Sequence, residues 1–387
     1  MLTFLPWFAI LVGLLVAWPM TWYLIKLGRR SDLLDSSGSA GHQKSLRSIP
    51  NIGGHALFWG AVGPLVLGVL AMLANVRDVN SESATLAGVL LLFVDVSQNR
   101  ISESIPVWIA IIVSTFVLHL VGLADDRRAL GARLKLLVQI LLAGMLVVFM
   151  DVRLLHVLDD FVPGGWFLSC ALSIGWLVVI TNAFNFLDNM DGLSAGVAAI
   201  VASILMIATI LNGQWFIAIS LGFLIGALIG FLRFNFPPAK IFMGDGGSLV
   251  IGWLLAIATI RTTFVDTADP DYALGTAWYG ALMPLFVMAV PLYDFTSVVV
   301  IRCLQGRSPF LGDQQHFSHR LVKQGLSSRR AVLVIWGITL AIGLNGIILG
   351  SVTPWMAICL AIATFALLGV IALLETGVAS RNERSNV

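Results

Sequence analysis

The chain has 387 residues, 58% of them hydrophobic and only 11% charged, with a mean hydropathy of +0.93. A soluble protein of this size carries about 25% charged residues, so the soluble globular classes are excluded. The formal net charge of +2 says little until it is divided between two sides of a membrane.

Apolar runs of roughly 20 residues, enough to cross a bilayer as helix, recur along the whole length. They predict an all-α, polytopic membrane bundle of about eleven spans: 5–26, 53–75, 105–124, 134–150, 166–183, 192–211, 215–234, 246–264, 277–300, 331–351 and 354–374. The first, Leu5 to Ile25, is too long for a signal-peptide core and lacks a preceding basic stretch, so it reads as a retained helix. Thr85 to Val96 is apolar but short and reads as a re-entrant or interfacial piece. No soluble domain fits between the spans, so residues 1–387 form one integral membrane domain.

Lys and Arg set the orientation. The loops after odd-numbered spans carry 19 of them and the opposite loops carry 4. This asymmetry places the N-terminus outside and the C-terminus in the cytoplasm. The cytoplasmic loops then fall near 27–52, 125–133, 184–191, 235–245 and 301–330. Their positive charge suits anionic lipid headgroups and phosphorylated substrates. Cys170, Cys303 and Cys359 show no CxxC spacing; they support neither a zinc site nor a disulfide framework and read as small buried hydrophobes.

Five polar clusters fall on that cytoplasmic side. The first runs from Lys44 to Pro50. Asp125 and Asp126 close the third span, either as a solvated stop signal or as a base or ligand for a hard cation. From Asn182 polar side chains recur every third residue (Asn182, Asn185, Asp188, Asp191), a band of amides and carboxylates along a drifting helix face. No Lys or Arg lies nearby in sequence, so these carboxylates call for a cation or a donor-rich ligand. Gly244-Asp245-Gly246-Gly247-Ser248 is a tight turn before a helix: either a plain capped turn, or backbone N–H groups and a carboxylate arranged for a metal-bound diphosphate. His316, His319 and Arg320 suit a phosphate surface, with ordinary loop residues as the alternative. Asp294 lies within the ninth span and needs a partner; Arg302, eight residues on, is too far for a direct pair.

Together these stretches resemble the polyprenyl-phosphate N-acetylhexosamine-1-phosphate transferase family. The resemblance rests on Arg47-Ser-Ile-Pro50-Asn-Ile-Gly53-Gly54, Val121-Gly-Leu-Ala-Asp125-Asp126, Asn182-Ala-Phe-Asn185-Phe-Leu-Asp188-Asn-Met-Asp191-Gly192-Leu193, Phe242-Met-Gly-Asp245-Gly-Gly-Ser248, Pro291-x-x-Asp294 and Asp313-Gln-Gln-His316-Phe-Ser-His319-Arg320-Leu321, in family order. It implies a Mg²⁺-dependent enzyme, with Mn²⁺ as a substitute. Such an enzyme moves a sugar 1-phosphate, most simply GlcNAc 1-phosphate, from a UDP-N-acetylhexosamine to a polyprenyl (undecaprenyl) phosphate in the plasma membrane, releasing UMP. It further implies Asp245 as metal ligand with Asp188 near it, and Asp125 or Asp126 on the lipid phosphate. Asn185, Asp188, Asp191 and Phe242 would border the uridine with Lys44 or Arg47 nearby, Asn182 would bind substrate, and His316, His319 and Arg320 would hold the sugar–diphosphate. Nucleic acid is not an expected partner; a homodimer is compatible with the reading.

The branch that starts O-antigen or teichoic acid glycans fits better than the muramyl-pentapeptide branch, whose loop typically has consecutive histidines. Two positions depart from the family pattern: Asn189 stands where Gly is frequent, and Ser318 where many members have a middle His. A secondary transporter is the alternative from a different class, but its ionisable groups belong near mid-bilayer.

Overall fold

The computed structural model describes residues 2–30, 49–75, 98–262, 282–308, 314–349 and 352–385. Regular structure among them is all helical. In chain order the helices are α1 (Leu5–Arg30), α2 (Gly54–Asn75), α3 (Gln98–Arg127), α4 (Ala132–Phe149), α5 (Leu158–Phe161), α6 (Gly165–Leu187) and α7 (Leu193–Leu211). They continue with α8 (Trp215–Asn235), α9 (Asp245–Thr262), α10 (Met283–Val287), α11 (Ala289–Leu304), α12 (Phe317–Lys323), α13 (Ser328–Ile348) and α14 (Pro354–Ser385). Among the described residues nine helices are long and apolar enough to cross a membrane. The protein is therefore a multi-pass membrane protein.

The eighth and ninth expected spans fall outside those nine. The eighth is α9, an 18-residue helix. The ninth is broken at Met288 into α10 and α11. Pro291 supplies the cause, because it has no N–H to return to the Val287 carbonyl. The Thr85 to Val96 stretch lies outside the described residues.

α9 is the central helix. All of its residues except Asp245, Leu254 and Arg261 are buried, as expected of a helix apolar on every side. α3 and α6 approach it backbone to backbone. A Cβ on Gly122 would press into the backbone of Asp245 and Gly246, and one on Gly252 into Thr181. A second close seam joins α1 to α8, where a Cβ on Gly222, Gly226 or Gly230 would meet the α1 backbone at Pro6, Ile10 or Trp18. Such small-residue seams are how helices associate where lipid removes the hydrophobic drive. α14 is the outermost helix, with Trp355, Phe365 and Leu373 exposed. Cys170 is buried as expected, whereas Cys303 and Cys359 are exposed on outer helices.

Candidate active site at one end of the bundle

The central helix begins at Asp245, and what caps it is a side chain of another helix. Asp126, in the last turn of α3, accepts the Asp245 N–H at 2.9 Å on one carboxylate oxygen and the Gly246 N–H at 3.0 Å on the other. Asn51 adds a third donor at 3.2 Å. The Gly247 and Ser248 N–H groups turn back to the Gly244 carbonyl. The glycine turn therefore does not offer these N–H groups to a phosphate; the anion at this helix N-terminus is Asp126. Gly244 is required twice over. Its φ of +69° favours glycine, and a Cβ there would collide with the Asp126 carboxylate.

Asp125, one residue earlier, faces elsewhere. It accepts the Leu130 N–H at 2.8 Å and the Lys135 ammonium at 2.8 Å. Lys135 also donates to Asp245 at 2.7 Å. One ammonium on the first turn of α4 thus bridges the two carboxylates that the sequence singled out in separate motifs. The other Asp245 oxygen accepts the Asn185 amide at 2.9 Å, which also reaches the Ser248 hydroxyl at 2.9 Å.

Only part of the expected Asn182–Asp191 band is helical. α6 ends at Leu187, so Asn182 and Asn185 lie on it, Asp188 is its C-terminal cap and Asp191 sits in the following turn. Asn182 donates to Gln139 of α4 at 2.5 Å. Asp191 accepts the Ala239 N–H at 2.9 Å, tying this turn to the loop that carries Phe242. The Phe242 N–H donates to the Pro50 carbonyl at 2.9 Å and its carbonyl accepts from Gly53 at 3.0 Å. The 49–54 segment is thereby bound to the site. Lys44 and Arg47, just upstream, and Asp313 lie outside the described residues.

The histidine segment docks on the acidic turn. Asp294, 1% exposed, accepts the Phe317 N–H at 2.6 Å and meets His316 Nδ1 at 2.9 Å. The buried carboxylate in the ninth span has found its partners: it anchors α12 and fixes the His316 ring. The His316 and His319 rings lie 6.4 Å apart. Arg302 is buried with its guanidinium 5.3 Å from the Phe186 ring. Arg320 points its guanidinium toward α14 and pairs with Glu375 at 3.0 Å, with further bonds to Ser297 and the Gln315 carbonyl. Tyr293 donates to the same Glu375 oxygen at 2.8 Å. Removing one partner of such a buried pair strands the other charge. Glu375→Ala is therefore expected to destabilise by about 3 kcal/mol, and Glu375→Gln by less, since the amide oxygen still accepts. Melting of the purified protein in detergent measures this, and equal melting of Glu375→Ala and wild type would remove the clamp from the account.

Sequence reasoning missed Lys135, which it counted only as an orienting charge, and Glu375, the partner of Arg320. It also missed His55 and His119. His119 Nδ1 lies 2.7 Å from the Gly246 carbonyl and His119 Nε2 lies 3.2 Å from His55 Nδ1. Because a carbonyl only accepts, His119 Nδ1 carries the proton, and the relay ties α2 and α3 to the glycine turn. Among the described residues no three His, Cys, Asp or Glu side chains converge as a metal cage.

Comparison with known proteins follows the same residues. The profile of Glycosyl transferase family 4 matches residues 108–263, which include Asp125, Lys135, Asn185 and Asp245. The chain is 30% identical over 302 residues to the probable undecaprenyl-phosphate N-acetylglucosaminyl 1-phosphate transferase of Bacillus subtilis, covering 76% of this chain and 82% of that one. It is 35% identical over 308 residues to the decaprenyl-phosphate N-acetylglucosaminephosphotransferase of Mycobacterium tuberculosis, covering 74% and 69%. It is also 30% identical over 329 residues to the phospho-N-acetylmuramoyl-pentapeptide-transferase of Desulforudis audaxviator, covering 74% and 93%. Likeness of this extent, with the matched segment running through the carboxylate cluster, means that the chain belongs to glycosyl transferase family 4.

Proposed function

We propose that the protein transfers GlcNAc 1-phosphate, or a closely related N-acetylhexosamine 1-phosphate, from a UDP-sugar to a polyprenyl phosphate at the cytoplasmic face of the plasma membrane. UMP is the leaving product, and the reaction opens a cell-envelope glycan pathway. The observation that carries this reading is Lys135 held between Asp125 and Asp245 at the ends of membrane helices. The names of the Bacillus and Mycobacterium relatives support the transferred group and the acceptor class.

A lipid phosphate oxygen must attack the β-phosphorus of a diphosphate, so two anions have to be brought together and aligned. Lys135 supplies positive charge where they meet. Asp125 is the carboxylate assigned to position or deprotonate the lipid phosphate, because Asp126 is engaged in capping α9. Asn185, Asp188, Asp191 and Phe242, with Lys44 and Arg47, border the uridine in this reading, and Asn182 binds substrate. His316 and His319 hold the sugar–diphosphate, and Arg320 steadies them through Glu375.

The residues fit Mg²⁺. Asp245 already carries a cationic partner at 2.7 Å, and Asn51 Oδ1 at the same turn is a buried oxygen with no hydrogen-bond partner among the described residues. Mg²⁺ takes one or two carboxylates and completes its shell with water and substrate phosphates, so no three-residue cage is needed. Asp245, with Asp188 near it, would hold the ion, which when bound neutralises the diphosphate and eases departure of UMP.

The Desulforudis relative keeps the muramyl-pentapeptide branch as the second reading. Inside-out membrane vesicles given equal UDP-GlcNAc and UDP-N-acetylmuramyl-pentapeptide decide between them. The expected result is UMP release that requires Mg²⁺ and polyprenyl phosphate, with GlcNAc-bearing lipid as the main product by mass. A pentapeptide lipid as main product would defeat the branch assignment, and no UMP from either donor would defeat the transfer itself.

A further inference from the structure

Two positions that depart from the family pattern touch each other. Ser318, 1% exposed, donates its hydroxyl to Asn189 Oδ1 at 2.5 Å. Asn189 in turn donates through Nδ2 to the Phe186 carbonyl at 2.8 Å. Asn189 lies between Asp188 and Asp191, and Ser318 between His316 and His319. This contact therefore joins the acidic turn after α6 to the histidine segment that begins α12. Two neighbouring contacts hold the same segment: the Phe186 ring packs edge-on to His316 at 5.9 Å, and Asp294 meets His316 Nδ1 at 2.9 Å. Backbone freedom does not explain Asn189, because the left-handed residue of this turn is Gly192, with φ of +74°. Its side chain does: each polar group satisfies the other in a seam where an unpaired one would be costly.

We infer that Asn189 and Ser318 form a latch that sets the spacing between the acidic turn and the histidine segment and so positions the donor sugar nucleotide. Both are positioning residues; neither touches reacting atoms. The inference rests on the reading that these two loops bracket a UDP-sugar.

The test is a double-mutant cycle on the full-length protein in lipid nanodiscs, with wild type, Asn189→Ala, Ser318→Ala and the pair. KM is measured separately for UDP-GlcNAc and for polyprenyl phosphate, and UDP-GlcNAc binding is measured by calorimetry without acceptor lipid. Each single change should raise the donor KM and Kd about tenfold, the double should be no worse than either single, and the acceptor KM should stay within about twofold. Ser318→Thr keeps the hydroxyl that donates to Asn189 and should hold the donor KM within about threefold of wild type. Asn189→Ala, read as donor KM against acceptor KM, decides the matter if the Ser318 variants do not fold. Donor effects that multiply in the pair, or equal rises in both KM values with lowered melting temperature, would overturn the latch. If wild type releases no UMP, the transfer reading fails on its own; coupled loss of UDP-GlcNAc affinity in the cycle then still supports the latch, and unchanged affinity overturns it.

Discussion

Asp245→Asn is expected to cut phosphosugar transfer by about 10³-fold or more while the purified protein melts close to wild type. The carboxylate of Asp245 has the Lys135 ammonium on one oxygen and the Asn185 amide on the other. What starts α9 is the backbone N–H of Asp245 on Asp126, and an asparagine leaves that bond in place. The substitution removes charge from the site and one of the two acceptors that Lys135 and Asn185 use, a cost of about 1 kcal/mol that leaves the start of α9 in place. Asp126→Asn should behave in the opposite way. Its two oxygens serve two backbone donors and Asn51, and an amide supplies one acceptor where two are needed. A loss of about 1–2 kcal/mol is expected for a damaged cap, with folded protein retaining activity within about tenfold. UMP release and melting in detergent, measured on the same preparations, separate the two. Near wild-type turnover by Asp245→Asn with unchanged Mg²⁺ dependence would sink the metal-ligand assignment. An inactive Asp126→Asn that melts normally would return Asp126 to the chemistry.

The contrast between these neighbours shows where sequence legibility ends. Helices were readable because a bilayer core demands long apolar stretches, and nine of the eleven expected runs are membrane-length helices among the described residues. The ninth span looked continuous because the run of apolar residues continues through Met288, and only the missing N–H of Pro291 breaks it. Asp125 and Asp126 looked equivalent as adjacent letters. Successive residues on a helix point about 100° apart, so one carboxylate meets Lys135 while the next reaches the start of α9. The glycines after Asp245 suggested open N–H groups, but the cap that fills them comes from a residue 119 positions away. Arg320 likewise had a partner 55 residues off, on the last helix. The motif residues were legible as residue types; their pairings were not, because they depend on which helix ends the bundle brings together.

Lys135 is where that matters most. Two of its three N–H bonds go to Asp125 and Asp245, at 2.8 and 2.7 Å, so one ammonium neutralises two carboxylates in a part-buried setting. Lys135→Met keeps the stem and removes the charge. Two close carboxylates then face each other uncompensated, and breaking such a pair is expected to cost about 3 kcal/mol. Transfer should fall about 10²–10³-fold, as when one preorganised donor is removed from developing charge. A structural counter-ion and a catalytic cation would both give this result, so a second variant is needed. Asp125→Asn/Lys135→Met lowers the negative charge of the cluster by one and should recover most of the lost melting temperature. Only melting is read from this double variant, because Asp125 is itself the carboxylate assigned to the lipid phosphate and its loss lowers activity whatever Lys135 does. Lys135→Arg tests geometry as well as charge, because a planar guanidinium does not present two carboxylates with the same point donor. It is expected to restore stability more than turnover. Activity that returned in step with melting temperature in Lys135→Arg would leave Lys135 as a counter-ion of the fold, and the positive charge at the reacting phosphates would then have to come from another group.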